Sequence, residues 1–340
     1  MTLKLCKAAK KMATFSSYFF ATATLMVSSS SAFTFIPRQS TSSLISKQSF
    51  KVSSSQRRPI QPASRAALAA RSYQQQRQVQ HQLHANNNDS VVTNMEDVGF
   101  VLLAGGKGSR MKADMPKQFL TLRKKPILHH SIELFLETLP KFLSDNGGAG
   151  PAFLVLVMDP SYQPEYQRFI DLYGADRMSF ANPGKERQGS VENGLNKLVE
   201  MAGDACKYVA VHDSARPLVT IDEILQVVTD ARDTGAAVLG VPCKATIKQS
   251  DDGVLVTRTI PRSTLWEVHT PQVIKIEALL RGFAKVEAEN IDVTDDVSII
   301  EALGEPVKLT LGEYTNLKIT TPEDMEVAEA ILEERHGRDN

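Results

Sequence analysis

Four short, almost wholly apolar runs constrain this chain most. Residues 98–104 read VGFVLLA and stop at Gly105-Gly106, and residues 152–158 read AFLVLVM and stop at Asp159-Pro160. Residues 207–211, closed by His212-Asp213, and residues 236–241 are two more. A strand with apolar side chains at consecutive positions is buried on both faces, which requires helices above and below a parallel sheet. Helical patterns fall between the runs. Pro126 opens one over residues 127–138, with apolar positions 127, 128, 132, 135 and 136. Others lie near 163–173 and 188–202, and Thr220 with Glu223 makes a capping box for a helix to about residue 233. The alternation specifies an α/β fold with a doubly wound, mostly parallel sheet. In such sheets ligands collect beyond the carboxyl ends of the strands.

One piece breaks the alternation. Residues 245–249 and 254–259 flank Ser250-Asp251-Asp252-Gly253, a hairpin signal with Asp-Gly at the turn. An isolated hairpin is marginal in water, so this arm, about residues 243–266, is expected to pack on something, a second subunit being the candidate. Beyond it the pattern reverts to helices near 275–287 and 295–303 and strands at 307–311 and 317–320. Thr321-Pro322-Glu323-Asp324 then starts the last helix, with a cap residue, proline at the first helical position and acids in the first turn.

The charge is split along the chain. Residues 1–88 hold twelve Lys or Arg and no Asp or Glu, while the remainder holds 27 basic and 39 acidic residues. The formal zero therefore conceals a body of net −12, which argues against a broad cationic face for nucleic acid. Three cysteines, Cys6, Cys206 and Cys243, exclude a disulfide framework or a zinc ribbon. In the leader, Lys4, Lys7, Lys10 and Lys11 precede an apolar run at 18–27, too short to span a bilayer, then Ser30-Ser31-Ala32 and Phe33. Residues from 38 to about 82 are rich in Ser, Gln and Arg, as in transit peptides. We read residues 1–95 as a disordered targeting leader, a signal plus a transit peptide addressed to the plastid stroma, and 96–340 as the catalytic domain. A single mitochondrial or chloroplast presequence is the plainer alternative. Neither leaves a membrane anchor in the mature form.

The chemistry-bearing residues follow strands. Ala104-Gly105-Gly106-Lys107-Gly108-Ser109-Arg110-Met111 leads to Pro116-Lys117-Gln118. Glycines after a strand let backbone N–H groups approach a polyphosphate, and Arg110 and Lys117 add positive charge where an attacked phosphoanhydride develops negative charge. No Gly-Lys-Ser/Thr closes the loop, so it is not a Walker A motif, and Met111 stands where a dinucleotide fingerprint needs a third glycine. Gly184-Lys185-Glu186-Arg187-Gln188-Gly189-Ser190 enters a helix whose first turn can hold a base edge or a phosphate; alone it is an ordinary cap. His212-Asp213-Ser214-Ala215-Arg216-Pro217 puts a carboxylate where Mg²⁺ could be held against substrate phosphates. His212 reads as a packed histidine, and Trp266, the only tryptophan, as core or interface.

Together these stretches, with Leu265-Trp266, Thr270-Pro271-Gln272, Thr294-Asp295-Asp296 and Asn316-Leu317-Lys318-Ile319-Thr320, resemble the 2-C-methyl-D-erythritol 4-phosphate cytidylyltransferase family over about residues 98–335. The resemblance implies a Rossmann-like nucleotidyltransferase fold with a β-hairpin dimerisation arm. It also implies transfer of CMP from CTP to methylerythritol 4-phosphate, with Mg²⁺. Ala104, Gly105, Gly106 and Gly108 would wrap CTP, with Gly184 and Ser190 at the cytosine. Arg110 and Lys117 would stabilise the transition state. Asp213 would hold the metal and, with Ser214, contact the nucleotide. Arg262 and Lys318 would position the acceptor, with Arg216, Thr246, Thr270 and Thr294 also on the substrate side. Thr246 and Arg262 flank the arm and would serve the partner's site in a homodimer. The chain departs from the family where Tyr314 replaces a frequent acid before Asn316, and where Ser214 replaces an alanine.

Three other readings stay open on the sequence. A sister enzyme could take another polyol phosphate, such as ribitol 5-phosphate. A non-catalytic nucleotide-binding homologue is disfavoured because Arg110, Lys117, Asp213, Arg262 and Lys318 are all present. A dehydrogenase is disfavoured by the failed fingerprint.

Overall fold

The computed structural model describes residues 94–338 apart from 107–108, 112–113 and 152, so the leader readings and Gly108 lie outside the described residues. The chain order is β1 (Val98–Leu103), a small ladder of β2 (Thr121–Leu122) and β3 (Lys125–Pro126), α1 (Ile127–Glu133), α2 (Leu139–Asp145), β4 (Phe153–Val157), α3 (Gln163–Tyr173), β5 (Met178–Ala181), α4 (Arg187–Ala202) and β6 (Tyr208–Asp213). It continues with α5 (Ile221–Thr234), β7 (Ala236–Pro242), the arm strands β8 (Lys248–Gln249) and β9 (Arg258–Thr259), β10 (Trp266–Lys275), α6 (Ile276–Glu289), α7 (Ser298–Ala302), β11 (Lys308–Leu311) and α8 (Pro322–Arg338).

The main sheet has the order β11-β7-β10-β6-β1-β4-β5. Among its described strands only β10 runs antiparallel to its neighbours, so the mostly parallel, doubly wound α/β class holds. From β1 the chain moves outward through β4 to β5, and β6 then returns to the other side of β1. The winding reverses there, which opens a crevice beyond the carboxyl ends of β1 and β6.

Apolar side chains fill both faces. Phe100, Leu102, Leu128 and Phe135 belong to one buried cluster, and Val101, Val191, Leu195 and Leu279 to the other. Each such fully buried side chain contributes about 2 kcal/mol relative to exposure. α4 lies unusually close to the sheet: a Cβ on Gly194 would stand 2.5 Å from Val101 Cγ1. That approach fixes where the start of α4 faces the crevice. A third cluster packs Met111 and Leu122 against Ile319, Ala328 and Leu332, drawing the C-terminal region onto the glycine loop.

Several sequence expectations need correction. The helix expected to end at residue 138 continues to Asp145 through a wide π turn, Leu134–Thr138, which absorbs Pro140 and its missing N–H. His212-Asp213 does not close β6 but belongs to it, because Leu102 and Leu103 of β1 pair with these residues. The arm's ladder is short, Lys248 pairing Thr259 and Gln249 pairing Arg258, and its turn is wide. Asp252 caps Val254 N–H and Leu255 N–H, both at 2.8 Å, instead of forming a tight Asp-Gly turn. The helix expected over 295–303 is only Ser298–Ala302. Residues 317–320 form no strand: Ile319 N–H donates to Ala215 O (2.8 Å), outside any ladder.

β10 and β5 carry no strand expectation in the sequence. In β10, Pro271 conceals the strand, and the structure accommodates it at a register shift between Val268 and Gln272, where a ladder N–H is not needed. The Thr270–Pro271 peptide is cis.

Candidate active site

The glycine loop leaves β1 over the crevice. Ala104 is still held to the sheet, its N–H donating to Val157 O at 2.8 Å, and its carbonyl accepts from Gln118 Nε2 at 2.6 Å. Gly105 faces the turn before α4: a Cβ on it would stand 2.8 Å from Pro183 Cβ. The first and second motifs therefore meet. The turn itself is locked by Gly184 N–H donating to Ser190 Oγ (3.0 Å). A Cβ on Gly184 would lie 2.5 Å from the Gly189 carbonyl carbon, so this approach admits only glycine.

Asp213 ends β6 beside this loop, and Ser214 anchors to β1 through its hydroxyl on Leu103 O (2.8 Å). Lys318 Nζ lies 2.6 Å from Asp213 Oδ2, and Arg187 Nη2 lies 3.4 Å from Oδ1. Arg187 also forks onto Asp296, with Nη2 2.9 Å from Oδ2 and Nη1 on Oδ1. Burial works against the Asp213 charge, but Arg187 and Lys318 outweigh it and hold the carboxyl well below the usual range. Asp296 is itself held in place by Gln272, whose Oε1 accepts Asp296 N–H at 3.0 Å.

Lys117 stands on the other side of Lys318, with Nζ 2.8 Å from Ile319 O. Burial, then the charge of Lys318 and that of Arg110, bring its ammonium down to about 8 against the pull of Asp213. The floor is a neutral relay. The Thr270 hydroxyl accepts Asp213 N–H at 3.1 Å and lies 3.2 Å from His212 Nδ1, and His212 Nε2 lies 3.1 Å from Arg216 O. A carbonyl can only accept, so Nε2 carries the proton and Nδ1 accepts from Thr270. Burial pulls His212 down to about 4, which keeps it neutral. Its reading as a packed histidine fits this position.

Of the expected site residues, the structure gathers Ala104, Gly105, Gly106, Arg110, Lys117, Gly184, Ser190, Asp213, Ser214, Thr270 and Lys318 around the crevice. Arg216 is buried beneath, with Nη1 2.7 Å from Asn316 O and Nη2 3.3 Å from Val268 O. Arg262 and Thr246 are exposed on the arm, Arg262 Nη1 donating to Lys244 O at 2.9 Å, and Thr294 is exposed before α7. Sequence reasoning assigned no role to Arg187 or Asp296. Their signal was membership of the Glu-Arg and Thr-Asp-Asp motifs, and their pairing depends on the fold.

The family model for 2-C-methyl-D-erythritol 4-phosphate cytidylyltransferase matches residues 98–334. This chain belongs to that family. It is 46% identical over 238 residues to the chloroplastic 2-C-methyl-D-erythritol 4-phosphate cytidylyltransferase of rice, covering 70% of this chain and 75% of the relative. Against the enzyme of that description from Desulforamulus reducens it is 40% identical over 245 residues, 71% of this chain and 98% of the relative. The crystal structure of the Thermus thermophilus enzyme superposes with a TM-score of 0.52 at 28% identity, over 69% of this chain and 98% of that one. The chain is accordingly a cytidylyltransferase of the methylerythritol phosphate route to isoprenoids, transferring CMP from CTP to 2-C-methyl-D-erythritol 4-phosphate.

Proposed function

We propose that the cations around Asp213 carry this cytidyl transfer. The observation that supports it is the grouping of Lys318, Arg187 and Lys117 about one buried carboxylate at the switch point of the sheet, with Arg110 beside Lys117. Ala104, Gly105, Gly106 and Gly108 wrap the triphosphate, and Gly184 and Ser190 meet the cytosine. An acceptor phosphate oxygen attacks the α-phosphorus of CTP as the bond to the bridging oxygen of the pyrophosphate breaks. No covalent enzyme intermediate forms, so positioning and charge stabilisation set the rate. Arg110 and Lys117 meet the charge on the equatorial and leaving oxygens. Lys318 and Arg262 hold the acceptor phosphate, with Thr246 and Thr294 on the same side, while Arg216 and Thr270 hold the backbone beneath it.

Magnesium fits the donors in one mode. Among the described residues no group of three or more His, Cys, Asp or Glu could cage a metal, so Asp213 would hold Mg²⁺ jointly with substrate phosphates, the arrangement this ion favours. When bound, the ion supplies charge neutralisation to the triphosphate. The test is pyrophosphate release from CTP and acceptor after chelation and on adding Mg²⁺ back. Turnover that survives chelation contradicts a metal role.

The arm supports a homodimer. Val254, Leu255 and Val256 at its tip are 82%, 70% and 60% exposed, an apolar edge that a partner subunit would cover. The leader composition and the chloroplastic rice relative support a plastid address, reached through a bipartite leader and ending in the stroma. Among the described residues no helix is long and apolar enough to cross a membrane.

A further inference from the structure

The segment that carries Lys318 also grips the root of the arm. After β11 the chain stays beside β7, Gly312 N–H donating to Gly240 O at 2.8 Å. Two residues on, the Tyr314 hydroxyl donates to Pro242 O at 2.6 Å, on the last residue of β7. The Lys244 ammonium stands 3.2 Å from the centroid of the Tyr314 ring, a cation–π contact. The carbonyl of Lys244 accepts from Arg262 Nη1 at 2.9 Å. Direct contacts therefore run from Tyr314 through Lys244 to Arg262, and Tyr314 lies four residues before Lys318.

The arm needs such support. Its own ladder consists of the Lys248–Thr259 and Gln249–Arg258 pairs, too little to fix its direction. At the neck, Cys243 N–H donates to Leu265 O at 3.0 Å, and Trp266 pairs with Pro242. Tyr314 binds this neck from outside the arm. Lys244 is exposed, so its long side chain would sample many rotamers without the ring beneath it.

We propose that Tyr314 is a positioning residue: it fixes the root of the arm, and through Lys244 the Arg262 guanidinium, relative to the segment that bears Lys318. The arm's contact with the acceptor is then set by the same segment that serves the chain's own site. This rests on the reading that Arg262 meets the acceptor, and the test separates the two.

Steady-state kinetics of the full-length enzyme would compare Tyr314→Ala, Tyr314→Phe, Lys244→Met, Arg262→Ala and the Tyr314→Ala/Arg262→Ala double variant. Tyr314→Ala raises the acceptor KM about tenfold while kcat and the CTP KM stay within about twofold. Tyr314→Phe, which keeps the ring and the fold but loses the bond to Pro242 O, and Lys244→Met each raise it about threefold. The double variant is no worse than Arg262→Ala, because Tyr314 acts through Arg262. Additive effects, or an unchanged acceptor KM in Tyr314→Ala beside a raised one in Arg262→Ala, overturn the inference alone. An unchanged acceptor KM in Arg262→Ala overturns the underlying reading and the inference with it.

Discussion

Lys318 Nζ lies 2.6 Å from Asp213 Oδ2, although 105 residues separate them in the chain. This pair ties the end of β6 to the C-terminal segment, and Arg187 on the other carboxylate oxygen ties both to the start of α4. Asp213→Asn removes the buried charge that these two cations share. Breaking a buried ion pair by removing one partner costs about 3 kcal/mol, so the thermal midpoint falls at neutral pH. The Asp213 pKa is depressed, so its contribution is present above the ordinary carboxylate range and disappears as the pH falls through its lower folded value. The difference between wild type and Asp213→Asn should therefore persist at pH 5. An equal midpoint at pH 7 contradicts the role of the pair.

Lys117 gives the pH profile its direction. Its ammonium is lowered from 10.5 to about 8, so in the free enzyme the charge proposed to act in the transition state is lost as the pH rises through about 8. kcat/KM for CTP should fall along that limb, and Lys117→Arg should abolish it, since guanidinium stays charged. Stability moves the other way over the same window. Between about 8 and 10.5 the unfolded chain binds more protons at this residue than the folded one, so its contribution to stability rises with pH. A limb of unchanged position in Lys117→Arg would assign it to another group.

Two glycines separate fold from ligand. Around Gly106 a Cβ would meet nothing within 4 Å, so Gly106→Ala should leave the thermal midpoint unchanged while raising the CTP KM about tenfold, by blocking backbone approach to phosphate. Gly184→Ala must instead push Gly189 and the start of α4 away, and should lower both stability and CTP affinity. Ser190→Ala removes one hydrogen bond to Gly184 N–H and should cost about 1 kcal/mol. Thermal melts and CTP titrations of the three variants check this ordering.

Much of the fold was legible because buried parallel strands write themselves as unbroken apolar runs, as in FVLL of β1 and FLVLV of β4. The Thr220–Glu223 capping box was equally plain, with Glu223 N–H donating to Thr220 Oγ1 at 3.2 Å. β10 was hidden by Pro271, which only its register shift makes tolerable. Residues 317–320 misled because an apolar–polar alternation also suits a loop that buries Ile319 in the third cluster. Within the site, the residue types at each strand end were visible, but not their partners. Nothing local in the sequence pairs Arg187 with Asp296 or Lys318 with Asp213; the winding of the sheet does.

If Arg262 serves the partner's site, subunits can complement one another. Assayed at acceptor concentrations well below the raised KM of Arg262→Ala, homodimers of Arg262→Ala or of Lys117→Ala should each turn over far less than wild type. Mixed dimers hold one intact site of two and should recover about half of wild-type turnover per mixed dimer, or about a quarter for a randomly mixed population. Activity of the mixture that never exceeds the sum of the two parents contradicts a shared site.

The proposed reaction is CMP transfer from CTP to methylerythritol 4-phosphate in this cation-lined crevice. The most direct measurement is CTP-dependent pyrophosphate release by the chain freed of its leader, with methylerythritol 4-phosphate and ribitol 5-phosphate as parallel acceptors. Turnover is expected with methylerythritol 4-phosphate, with a kcat/KM for ribitol 5-phosphate at least about a hundredfold lower. Turnover with ribitol 5-phosphate and none with methylerythritol 4-phosphate would contradict it.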